Sequence, residues 1–148
     1  MSSLTDGNPL LKIRYRIPFD EIRAEHVEPA IQQLIADARQ RLESIASHPG
    51  PRTWENTMAA LDLMTEPLDY AMNIVRHLES VATYPTLREA YNAVQPAVSE
   101  FYAGIPLHAG LWAALKNYAG TAEAASLEGA RRRYLKKTLD DFRRHGAE

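Results

Sequence analysis

The stretch from Thr53 to Thr83, TWENTMAALDLMTEPLDYAMNIVRHLESVAT, limits what this chain can fold into more than any other. Apolar or small residues fall at Trp54, Met58, Leu61, Met64, Leu68, Ala71, Val75, Leu78 and Ala82. Those steps alternate between three and four, the period of one helix face. A second, oblique stripe runs through Leu63, Tyr70, Ile74 and Val81. Two stripes on one helix require packing partners on two sides. Thr53 stands where an N-cap belongs, its hydroxyl able to accept a first-turn N–H. At 1.5 Å rise per residue such a helix is roughly 45 Å long, the central helix of an all-α domain. Pro67 removes the backbone bond to the carbonyl of Leu63 and predicts a kink there. The apolar register continues unshifted from Met64 through Leu68 to Ala71, which favours a kink over two helices broken at Glu66.

The flanking segments carry the same period. A helix from about Ala24 to Ser47 places Val27, Ile31, Leu34, Ala38, Leu42 and Ile45 on one face, with Pro29 in its first turn or so. HPGP (48–51) ends it. After the break at Tyr84-Pro85-Thr86, a further helix shows Leu87, Tyr91, Val94, Val98, Phe101 and Ile105, bent at Pro96. Ile105-Pro106 opens a shorter one carrying Leu111, Ala114, Leu115 and Tyr118 and closed by Gly120. The last helix begins near Thr121 or Ser126 and reaches about His145, burying Leu127, Ala130, Tyr134, Thr138 (or Leu139) and Phe142, with Gly146 as its stop. Residues 1–18 form an extended arm, because Asn8-Pro9 and Ile17-Pro18 push their first residues out of the α region. Leu10, Leu11, Ile13, Tyr15 and Ile17 lay that arm across the domain, and PFDEI (18–22) makes one helical turn. With no strand-like alternation and no repeat, residues 1–148 are expected to be a single helical domain, a bundle of about five helices.

Composition excludes several function classes. A formal charge of −2 gives no whole-chain pull toward nucleic acid or anionic membrane. Zero cysteines remove disulfides, thiol catalysis and every Cys-based zinc site, and fit a cytoplasmic setting. MSSLTDGNPLLK has no charged region followed by an apolar one, so no signal peptide is expected. No apolar run approaches the roughly 18 residues a membrane-spanning helix needs.

Several literal strings go beyond periodicity: NPLL (8–11), IPFDEIRAEHVEPAI (17–31), TWENT (53–57), HLESVATYPTLREAYN (77–92) and DDFRRHG (140–146). In this order they resemble the N-terminal region of the thimet oligopeptidase and oligopeptidase A family, the M3 zinc metallopeptidases. The stretch from Gly104 to Ser126 resembles the family least. The resemblance implies a mostly helical enzyme that cleaves short peptides in a deep channel, with N-terminal helices forming one wall. It also implies a zinc ion held by a His-Glu-x-x-His helix and a downstream Glu. Neither lies within this sequence, whose histidines, His26, His48, His77, His108 and His145, include no pair spaced i, i+4. The chain is therefore expected to supply no catalytic, cofactor-binding or metal-binding residue, zinc belonging to the full-length enzyme. Its expected partners are a catalytic domain beyond this sequence and short peptides, with no nucleic acid and no membrane.

The remaining candidates read as structural. In TWENT, Thr53 caps, Trp54 anchors the core and Asn56 bonds first-turn backbone. His26, at a helix start, reads as a cap or a packing residue. The tyrosines Tyr70, Tyr84, Tyr91, Tyr102, Tyr118 and Tyr134 fall on or beside the helix stripes, as core residues do. ARRRYLKK (130–137) lies in a segment, Leu127–Glu148, with seven basic and four acidic residues, against ten and fifteen in the rest. It reads as a solvated or inter-domain face. The alternative function is a stand-alone helical module that binds a partner or self-associates as a homo-oligomer through exposed apolar surface.

Overall fold

The computed structural model describes residues 8–11, 13, 22–82 and 85–146, with the backbone alone for residues 81–82. Helix α1 spans Ala24–Ala46, α2 Ala60–Met64, α3 Glu66–Ala82, α4 Pro85–Gly104, α5 Ala109–Ala119, α6 Ala122–Ala125 and α7 Gly129–Arg144. A π-helical segment, Trp54–Ala59, runs into α2, and 3₁₀ turns cover Pro9–Leu11 and Ile105–Leu107. No strand occurs among the described residues, so the fold is the all-α bundle that the periodicity predicts.

The central stretch is interrupted two residues before the expected kink. α2 ends at Met64 and α3 opens at Glu66, with Thr65 between them. Pro67 thus falls in the first turn of α3, where a missing N–H costs little, and starts a helix instead of bending one. The interruption is one residue wide, since the Asp69 N–H already donates to the Thr65 carbonyl at 2.8 Å.

The chain divides into two compact units. One comprises Met1–Ala38 and Thr65–Glu100. Its core is built from Val27, Ile31 and Leu34 of α1, Leu68, Ala71 and Val75 of α3, and Leu87, Val94 and Val98 of α4. α3 buries Leu68, Ala71 and Val75 of the first stripe read from the sequence and Ile74 of the second, with Leu78 half-buried. The 3₁₀ turn of the arm sits against α3, with Leu10 fully buried. Asn8 fixes that turn: its amide donates to the His26 carbonyl at 2.9 Å and its oxygen accepts the Leu10 N–H at 3.0 Å. Residues 1–7, 12 and 14–21, which hold most of the expected extended arm and most of the PFDEI turn, lie outside the described residues, as do Thr83 and Tyr84.

The second unit comprises Arg39–Met64 and Phe101–Glu148. Met58, Leu61, Met64, Leu111, Leu115, Tyr118, Leu135 and Phe142 are buried in it. Arg52 closes α1: its guanidinium, itself buried, donates to the carbonyls of Ile45 at 2.6 Å and Ala46 at 3.1 Å. Those are orphan carbonyls at a helix C-terminus, where a cation also suits the macrodipole.

Two expectations about buried stripes need correction. Leu63, placed on the second stripe, is 55% exposed. Ala130, placed in the last helix's buried stripe, is exposed, while Leu135 is buried. The reason is where that helix starts. Thr121 caps the short α6, Ser126 ends it, and α7 begins only at Gly129. Leu127 is buried from the linker, so the step from Leu127 to Ala130 is not a helical one.

Candidate functional site

The TWENT segment is the most densely connected part of the second unit. Thr53 Oγ1 accepts the Asn56 N–H at 3.1 Å and Asn56 Oδ1 accepts the Thr53 N–H at 2.9 Å, a reciprocal capping box. Asn56 Nδ2 also donates to the Pro51 carbonyl at 3.0 Å, and the buried Thr57 hydroxyl donates to Asn56 Oδ1 at 2.8 Å. The Trp54 ring meets Tyr118 edge-on at 6.3 Å and Tyr134 at 6.0 Å, with the Arg131 guanidinium 4.9 Å over it. One carboxylate oxygen of Glu123 accepts both the Trp54 N–H and the Tyr118 hydroxyl.

This cluster holds its protons firmly. Burial, then the hydrogen bond and charge of Glu123, push the Tyr118 hydroxyl up to about 12, with Arg131 opposing. Burial and the charge of Asp62 push Tyr134 to about 12 as well, opposed by Thr138. Tyr118 is therefore a neutral donor at physiological pH, fit to fix Glu123 and unfit to act as a base. The arrangement ties the Trp54 segment to α5, α6 and α7.

His108 caps α5. Its Nδ1 accepts the Leu111 N–H at 3.0 Å, so in the neutral ring the proton sits on Nε2, 2.8 Å from Glu43 Oε1. The ring lies over Gly110, where a Cβ would stand 3.1 Å from the imidazole Cε1. Beside it is an open cleft of about 330 Å³ lined by Pro106, Leu107, Trp112 and His145, among others. Trp112 stacks on Phe142 at 5.8 Å, with Lys116 and Arg143 within cation–π reach.

Among the described residues no group of three or more His, Asp or Glu is placed to hold a metal ion. His108 uses both ring nitrogens within the fold. His26 uses Nδ1 to accept the Arg23 N–H at 2.9 Å, closing the start of α1 as a cap. The donors present among the described residues do not fit the zinc that the sequence resemblance implies for the full-length enzyme. Tyr118 and Tyr134 flank Trp54 in the second unit, and Tyr70 and Tyr91 belong to the first. Tyr84 lies outside the described residues.

Sequence reasoning missed His108, Glu123 and Arg52. Histidine is not a preferred N-cap residue, and Glu123 acts 69 positions from its Trp54 partner. Arg52 had a usable signal, a cation just past a helix C-terminus.

Residues 31–148 match the family described as Neurolysin/Thimet oligopeptidase, N-terminal domain. Oligopeptidase A of Haemophilus influenzae is 36% identical over 140 residues, covering 95% of this chain and 20% of that protein. Oligopeptidase A of Escherichia coli is 34% identical over 139 residues, 94% of this chain and 20% of that protein. An Arabidopsis thaliana protein named probable cytosolic oligopeptidase A is 28% identical over 135 residues, 91% of this chain and 19% of its own length. The chain thus spans about a fifth of these relatives.

Proposed function

The chain belongs to the neurolysin/thimet oligopeptidase family, and from that we propose that it is the non-catalytic N-terminal domain of a zinc-dependent oligopeptidase acting on short peptides. The carrying observation is the match to the family's N-terminal domain over residues 31–148. In this reading the chain acts as one domain, forms part of the substrate-channel wall, and works with a catalytic portion that holds the zinc. A wall's task is to exclude folded or long chains and admit extended peptides, which needs rigid helices and no reactive group. The capping box at Thr53, the Arg52 clamp and the Glu123 cluster are devices of that kind. A cytoplasmic location accords with the absence of cysteine and with no described helix being long and apolar enough to cross a membrane.

The test is a chimera in which this chain replaces the matching first fifth of Escherichia coli oligopeptidase A. The chimera is expected to cleave a short quenched peptide and to spare a long unfolded polypeptide. A version lacking the segment should lose that size selection; unchanged selection without it would contradict the wall role. Self-association is the second reading, favoured by Leu63 and Leu107, 55% and 66% exposed in the second unit. Sedimentation of the chain as a monomer at all concentrations would remove it.

A further inference from the structure

The start of α7 combines several features that disfavour a helix N-terminus. Its N-cap, Glu128, makes no side-chain hydrogen bond, its first turn contains no acid, and Gly129 opens it at φ +61°. By contrast the Trp54 segment, α3 and α6 each carry an acid in the first turn. At the positive end of the α7 dipole stand Arg131, Arg132 and Arg133, the wrong sign for that position. Arg131 is accounted for by Trp54. Arg132, Arg133, Lys136 and Lys137 are exposed and have no hydrogen-bond or ion-pair partner among the described residues. They form two like-charged i, i+4 pairs on the face opposite buried Leu135, Thr138 and Phe142. Such pairs destabilise a helix by a few tenths of a kcal/mol each. Further along, Arg143 and Arg144 are paired with Asp140 at 3.7 Å and Asp141 at 3.3 Å. The uncompensated charge is thus confined to residues 132–137, in a chain whose net charge is −2.

We infer that the Arg132–Arg133–Lys136–Lys137 face is a docking surface for an acidic stretch of polypeptide. Charge complementarity sets the sign of the partner. The choice of polypeptide over nucleic acid follows from what else shares the face. Its exposed positions include no aromatic side chain on which a base could stack, Tyr134 being turned to Trp54. A carboxylate-bearing segment with side chains three and four apart matches the spacing of the two cation pairs and would relieve their repulsion. This inference does not depend on the peptidase reading.

The experiment uses the whole chain and its quadruple variant Arg132→Gln, Arg133→Gln, Lys136→Gln, Lys137→Gln. A fluorescein-labelled glutamate-rich peptide is titrated by anisotropy at low and physiological salt, beside an oligothymidylate of equal charge. Each lost pairing of this exposed kind is worth about twofold, so the variant should bind the peptide at least about tenfold more weakly. Because the cations repel one another and oppose the dipole, the variant's Tm should be equal or higher, by about 2–4 °C if the relief is fully expressed. No binding of the peptide, tighter binding of the oligothymidylate, unchanged binding by the variant, or a lowered Tm would each overturn the inference.

Discussion

Two helix starts in the same compact unit are built on opposite plans. At Thr53 a reciprocal capping box and a first-turn acid satisfy the backbone, and the half-buried Trp54 ring is wedged between two tyrosines. At Gly129 there is no side-chain cap, no first-turn acid and a run of arginines. The first start is optimised for stability, its Thr53, Trp54 and Asn56 side chains all engaged within the fold. The second gives up stability and presents unpaired cations to solvent. Where local propensity, capping and charge all agree, the segment is structural; where they disagree without compensation, a surface role is the economical explanation.

The contrast breaks most visibly at Trp54. Trp54→Ala removes both aromatic contacts and the seat of Arg131, and is expected to cost about 3 kcal/mol in chemical denaturation. A cost below about 1 kcal/mol would mean the cluster is not the anchor described. Alkaline titration comes next. The Tyr118 hydroxyl is raised from its ordinary 10.0 to about 12. A raised folded value means its contribution is intact below pH 10 and is lost as pH rises through about 12. Stability measured from pH 9 upward should fall across that window by at most roughly 2–3 kcal/mol from Tyr118. Tyr134, also raised to about 12, adds to the fall. Tyr118→Phe should be less stable at pH 7 and flatter above pH 10.

The smaller effects compare the two starts directly. Thr53→Ala should cost about 1 kcal/mol, because the capping box is made on both sides. Glu128→Asp, which shortens the side chain to one that reaches a first-turn N–H, should instead stabilise by about 0.5 kcal/mol, since that cap is empty. Equal signs for the two substitutions would erase the distinction between these helix starts.

Much of this was legible in the sequence. The three-and-four spacing located the buried faces of α1, α3, α4 and α5, since each turns apolar residues of that period inward. Thr53 and Asn56 were readable because a capping box is local. The split at Thr65 was not, because an unshifted register is equally compatible with a kink and with a one-residue interruption. Ala130 was misplaced because Ser126 and Gly129 both signal a boundary, and only packing decides which starts α7. Glu123 and His108 act across 69 and 65 residues, a distance at which no sequence period operates. The family, in contrast, was readable from literal strings such as TWENT and HLESVATYPTLREAYN, which physical patterning alone does not interpret.

The central proposal is that these residues do not themselves carry peptide hydrolysis. It is tested most directly by incubating the 148-residue chain with a quenched fluorescent oligopeptide and zinc, with and without a chelator, beside Escherichia coli oligopeptidase A. The account predicts no turnover by the chain under conditions where the longer relative cleaves the peptide. Chelator-sensitive turnover by the chain itself would contradict it.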